Sequence, residues 1–221
     1  EKVNPYCLIG ELSAVSDKND LFFIDTGCSI AWMMQGFAVK QGQRLYHDFN
    51  NTAMGWALAA SIGASYAHPN RSIICVTGDG SLQINIKELA TIIKHNLPIK
   101  ILLLNNRGHS MIQQTQDQWL DSKYLASSEE GGLPSPNFMQ IAEAYGFKTS
   151  SIDTNAEIKS ILPEFLRIKD PLFCSVEISS EHRVSPQVKF GRPNEDPEPL
   201  LERQEFLRNM IVPPLPISES S

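Results

Sequence analysis

The 221 residues hold no long apolar run, no basic block and no paired cysteines. No stretch approaches the roughly 18 apolar residues of a transmembrane helix, which argues against a membrane-spanning protein. Lys and Arg total 19 against 25 Asp and Glu. The net charge of -6 gives no electrostatic reason to expect binding to nucleic acid or an anionic membrane. The four cysteines, Cys7, Cys28, Cys75 and Cys174, form no C-x-x-C motif, and no His/Cys cluster has zinc spacing. Cys75 and Cys174 lie in apolar runs and read as buried thiols, which fits a reducing cytoplasm. No signal-peptide pattern opens the chain. It begins at Glu1 rather than Met, so it reads as a fragment or a processed chain.

What is present is the composition of a globular protein, 42% hydrophobic and 20% charged. Strand-like and helix-like patterns alternate. Leu21 to Ile24, Arg44 to His47, Ser72 to Thr77, Ile99 to Leu104, Lys148 to Ile152 and Pro171 to Ile178 read as strands. Asn4-Pro5 opens a helix, with Asn as cap and Pro at the first position. Further helices are predicted over Trp56 to Ala67, from about Ile84 to Lys94, from Asn137 to Tyr145 and after Asn155 as cap. The pattern predicts an α/β fold: a doubly wound, mostly parallel sheet with helices on both faces. Residues 1–180 form that domain. Residues 181–221 form an irregular C-terminal tail expected to pack on a partner chain or domain, or to be loose. Within it Arg203 to Met210 is a short helix and Pro213 to Ser221 reads as extended. Asp121 to Pro136 is long for an internal connection, hence a mobile lid or a partner-binding loop.

Two polar clusters fall at strand ends. Gly78-Asp79-Gly80-Ser81 follows one apolar run, and Asn105-Asn106 follows another. The carboxyl edge of a parallel sheet is where ligands bind. Asp79 and Asn106 would deliver two hard oxygens, and a backbone carbonyl at Gly108 a third. Diphosphate and water oxygens would complete the octahedron that Mg²⁺ requires. Gly80 and Ser81 would offer N–H groups, and Ser81 a hydroxyl, to phosphate at a helix start. Gly27, Cys28 and Ser29 sit at an equivalent strand end and could cradle the same group. A dinucleotide site is disfavoured, because an acid stands where pyrophosphate would lie and the third glycine of G-x-G-x-x-G is missing.

G-D-G-S followed some 25 residues later by N-N resembles the signature of thiamine-diphosphate enzymes. Asn4-Pro5-Tyr6, Asp25-Thr26-Gly27, Met54-Gly55, Leu97-Pro98-Ile99-Lys100 and Ala142-Glu143-Ala144-Tyr145-Gly146 look like the acetolactate synthase branch. The likeness spans about Val3 to Ser179, the C-terminal diphosphate-binding domain of such enzymes. It implies thiamine diphosphate and Mg²⁺ as cofactors. Asp79, Asn106 and the Gly108 carbonyl would ligate the metal, and Gly27, Cys28, Ser29, Gly78, Gly80 and Ser81 would line the diphosphate. Met54 matches the bulky apolar residue beneath the bent cofactor, although a Met there could equally fill a core gap. Met111 and Gln114 match substrate-side positions. His109 is a further substrate-side candidate, or simply a solvated loop histidine.

The resemblance implies a decarboxylase or carboligase of 2-oxo acids, in which loss of CO₂ leaves an enamine that is passed to an acceptor carbonyl. Two alternatives stand beside it: a subunit of a two-subunit decarboxylase that protonates the enamine, and a non-catalytic homologue acting as scaffold. The activating Glu of such enzymes lies on a separate pyrimidine-binding domain. The expected partner is that domain or subunit, in a hetero-oligomer (a dimer of heterodimers) or as the rest of a longer homo-oligomeric chain. Two departures from acetolactate synthases point to a different acceptor or oxo acid. Cys28-Ser29 replaces Gln-His, and Thr115 replaces a Trp, with Trp119 farther along.

Overall fold

The structure is a computed structural model and describes residues 2–219. Six strands form one all-parallel sheet in the order β2-β1-β3-β4-β6-β5. They are β1 (Leu21–Ile24), β2 (Arg44–His47), β3 (Ile73–Gly78), β4 (Ile99–Asn105), β5 (Lys148–Ile152) and β6 (Leu172–Glu177). The central strands are apolar on both faces because both faces are covered; β4 is buried along its whole length. The edge strand β2 is largely exposed.

Alternation along each strand divides the core in two. Leu21, Phe23, Ile73, Cys75, Ile101, Leu103 and Phe173 point to a cluster shared with α3 (Trp56–Ala67), α4 (Asp79–Asn85), α5 (Leu89–Lys94) and α7 (Phe138–Tyr145). Their neighbours Phe22, Ile24, Ile74, Val76, Leu102 and Leu104 are buried as well. Helices α1 (Pro5–Val15), α2 (Cys28–Gly36) and α8 (Asn155–Arg167) pack with one another and with the sheet. Chain order reverses direction at β1, which has β2 on one side and β3 on the other. In a doubly wound sheet such a reversal opens a crevice at the strands' carboxyl ends. The first turns of α2 and α4 and the segment before α6 (Ser110–Trp119) all start at that edge.

Several local expectations need correction. The helix expected from about Ile84 begins at Asp79 and breaks into a 3₁₀ turn over Ile86–Glu88 before α5 resumes. The break follows Asn85, whose side chain donates to the Gly55 carbonyl at 2.9 Å. Asn155 does not cap α8. Thr154 is the N-cap, with Glu157 Oε2 accepting from its backbone N–H at 3.1 Å. The Asn155 side chain instead accepts from the backbone N–H of Asn4.

Two compact units are present, Glu1–His182 and Arg183–Ser221. In the second, Gln187 and Glu198 pair as an antiparallel bridge, and α9 (Arg203–Asn209) buries Phe206. Asp196, 1% exposed, is gripped by Arg192 and Arg203. The segment read as extended from Pro213 instead turns into α10 (Pro216–Glu219). Glu195 accepts from the Leu215 N–H and the Ser218 hydroxyl and so fixes that turn. Ser220 and Ser221 lie outside the described residues.

Candidate functional site

Asp79 is the first residue of α4, carried to the sheet edge by β3 and 5% exposed. Its Oδ1 accepts from the Gly80 N–H and its Oδ2 from the Gly108 N–H, both at 3.0 Å. The same Gly108 N–H lies 3.2 Å from Asn106 Oδ1. One backbone nitrogen therefore gathers the carboxylate and the amide oxygen. Asn106 is held in that orientation because its Nδ2 donates to Ser110 Oγ. Arg107, between them, adopts φ +54°, the left-handed conformation that swings the Gly108 N–H back toward Asp79.

Burial pushes the Asp79 carboxyl up to about 6 from its usual 3.8, against the pull of backbone N–H groups. Its hydrogen-bond donors are neutral. Among the described residues, no group of three His, Cys, Asp or Glu side chains gathers as a metal cage. One carboxylate, one amide oxygen and nearby backbone suit a Mg²⁺ ion that arrives with anionic oxygens of its own.

The other expected residues converge on this edge. Gly27 has φ +78° and ψ -144°, a conformation open to glycine, and turns β1 into α2. A Cβ built on Gly78 would lie 3.5 Å from Ser29 Oγ, so the two strand-end turns abut. A Cβ on Gly80 would lie 2.3 Å from His109 Cε1 and 3.4 Å from Met54 Cε. A side chain at Gly80 would displace the His109 ring and would touch Met54 only at van der Waals distance. A Cβ on Gly27 would lie 4.0 Å from Met111 Cβ. Cys28, Ser29 and Ser81 are buried at their helix starts. Burial lowers the pKa of His109, favouring the neutral ring. Gln114 is buried on α6 one turn beyond Met111. Met54 is 39% exposed in the turn before α3, which rules out the core-filling role.

The segment read as a lid or docking loop is fastened to this edge at its middle. The carbonyl of Ser127, 0% exposed, accepts from the His109 N–H and from Gln113 Nε2. Gly108 and Ser128 form an antiparallel bridge. Gly108 has to be glycine, since a Cβ would sit 2.8 Å from both Gln113 Nε2 and Ser127 O.

Sequence reasoning passed over Asp25, Asn85 and Gln113 as functional groups. Asp25 carried a signal: like Asp79, it is an acid just past an apolar strand and close before a glycine. Asn85 and Gln113 reach residues 30 and 14 positions away and carried none.

The family model described as thiamine pyrophosphate enzyme, C-terminal TPP binding domain, matches residues 25–176. The chain is 34% identical over 190 residues to the acetolactate synthase large subunit of Cyanidium caldarium, covering 86% of this chain and 32% of that protein. It is 31% identical over 194 residues to the acetolactate synthase isozyme 1 large subunit of Escherichia coli (strain K12), covering 88% and 34%. Against the acetolactate synthase large subunit of Buchnera aphidicola subsp. Schlechtendalia chinensis it is 40% identical over 199 residues, again 88% and 34%. The chain thus spans about a third of the length of these relatives. By its match over 25–176 and by these relatives, the chain belongs to the thiamine pyrophosphate enzymes and carries the C-terminal binding domain of their acetolactate-synthase-like branch.

Proposed function

We propose that this chain is the diphosphate-binding half of a 2-oxo acid decarboxylase or carboligase. The observation that carries the reading is the buried Asp79 carboxylate, brought by the Gly108 N–H to the amide oxygen of Asn106 without a cationic side chain. In this reading Asp79, Asn106 and the Gly108 carbonyl hold Mg²⁺. Gly27, Cys28, Ser29, Gly78, Gly80 and Ser81 line the diphosphate. The glycines let the backbone approach closely, and the first turn of α2 presents N–H groups to its charge. Met54 supports the cofactor from below, while Met111, Gln114 and His109 face the substrate.

When bound, thiamine diphosphate supplies a carbanion and an electron sink for cleaving the carboxylate from a 2-oxo acid. Activation of that cofactor needs an acid from a pyrimidine-binding domain. Because the chain spans only a third of its relatives, we assign that acid to another domain or subunit, across an interface active site. Catalysis then belongs to the assembled enzyme.

Thr115, exposed on α6, stands where the acetolactate synthase pattern has a Trp, and Trp119 lies farther along, 57% exposed. This favours a different acceptor, or a proton in its place. Product analysis with pyruvate, with and without an added aldehyde or ketone, separates carboligation from decarboxylation. The reading as a whole is tested by Asp79→Ala in the assembled enzyme. Cofactor retention and activity should both vanish; full activity in that variant would sink it. Calorimetry that detects no cofactor binding by the assembled wild type would favour a scaffold.

A further inference from the structure

Asp25 is a buried carboxylate that cofactor binding leaves without a task. It is 1% exposed at the end of β1, beside β3. Its Oδ2 accepts from the Thr77 hydroxyl at 2.9 Å, and its Oδ1 reaches across to the Gly55 N–H at 3.0 Å. On the other side of the same residue, Asn85 Nδ2 donates to the Gly55 carbonyl at 2.9 Å. Gly55 has φ +81°, and a Cβ there would meet Asn85 Nδ2, Ile84 Cβ and Ser81 O at 3.0–3.2 Å. Both polar groups of one backbone residue are therefore gripped, from β1 on one side and from α4 on the other. The residue just before it is Met54, whose Cε approaches Gly80. The helix that supplies Asn85 is the one that opens with Asp79.

We propose that Asp25 and Asn85 clamp Gly55 and thereby position Met54 at the cofactor, tying it to the helix that carries Asp79. The proposal rests on the reading of Met54 as the cofactor's support. Asp25 and Asn85 are positioning residues and touch no reacting atom. A Met side chain has three rotatable bonds, so its backbone must be fixed if it is to hold a bent ligand. An N–H and a carbonyl bound on opposite sides fix that backbone in position and in rotation.

The test has two parts. In the cofactor-free chain, amide hydrogen exchange at Gly55 should rise about tenfold or more in both Asp25→Asn and Asn85→Ala. Asn85 is half-buried, so its variant guards against loss of folding in the other. In the assembled enzyme, Asn85→Ala should lower kcat by about tenfold while cofactor Kd stays within about threefold. Exchange of the cofactor's C2 proton should slow in parallel. In a Met54→Ala background, Asn85→Ala should cost nothing further, because its effect runs through Met54. If the assembled wild type binds no thiamine diphosphate, the cofactor reading falls and takes Met54's task with it. If it binds, unchanged Gly55 exchange or additive losses in the double variant overturn the clamp alone.

Discussion

Asp79 and Asp196 are both hidden from water, at 5% and 1% exposure, yet their surroundings are opposite. Asp196 is held by two guanidiniums, with Arg203 Nη2 2.9 Å and Arg192 Nη2 3.1 Å away. The hydrogen bonds and charge of Arg203, joined by Arg192, keep its carboxyl below the usual range. Asp79 has only backbone N–H donors, and burial pushes it up to about 6. A carboxylate whose counter-charge is built in serves the fold. One buried without a counter-charge costs the fold stability. Asp25 belongs with Asp79 in its raised pKa, about 6. It differs in its partners: its oxygens accept from the Thr77 hydroxyl and the Gly55 N–H, those of Asp79 from the Gly80 and Gly108 N–H groups.

The comparison can be broken most forcefully at Asp196. Asp196→Ala strands two arginines and should destabilise its own unit by about 2–3 kcal/mol in denaturant titrations. Next comes Gly108→Ala. Its methyl would have to push aside Ser127 O and Gln113 Nε2, and it would turn the N–H that joins Asp79 to Asn106. A stability loss of about 1–3 kcal/mol is expected by the same measurement, together with weakened cofactor binding.

Asp79→Asn should act in the opposite sense to Asp196→Ala. Removing an uncompensated buried charge should stabilise the cofactor-free chain at pH 7 by about 1–2 kcal/mol while abolishing metal binding. The pH dependence follows the same sign. Between pH 4 and 6, about the span from the usual 3.8 to the raised value, the folded chain keeps protons on Asp25 and Asp79 that the unfolded chain has lost. Their contribution to stability therefore falls as pH rises through that window, by at most about 3 kcal/mol per group. Asp79→Asn should flatten part of that slope, whereas Asp196 contributes the reverse slope, its stabilisation being lost as pH falls. The smallest effect is expected for Thr77→Val, about 1 kcal/mol in the same titrations, because Asp25 keeps its backbone donors.

Apolar runs made β1, β3, β4 and β6 legible in the sequence, and the polar residues at strand ends marked the edge where the candidate site lies. Gly78 to Ser81 and Asn106 could be read because strand-end chemistry is local. What could not be read was geometry made between residues far apart in the chain. Asn85 donates to the Gly55 carbonyl, thirty residues away. Ser127 ties down a segment whose composition looks like free loop. Pro213 onward looked extended because the Leu215–Ser218 turn depends on Glu195. The orientation of Asn106 rests on Ser110 and on the left-handed Arg107, neither of which has a sequence signature of its own.

The central claim is that Asp79 awaits a cation that comes with a diphosphate. Its most direct test is calorimetric titration of Mg²⁺ and thiamine diphosphate into the assembled enzyme. The wild type should bind both, and Asp79→Asn should bind neither. Equal affinity in the two proteins would contradict the account.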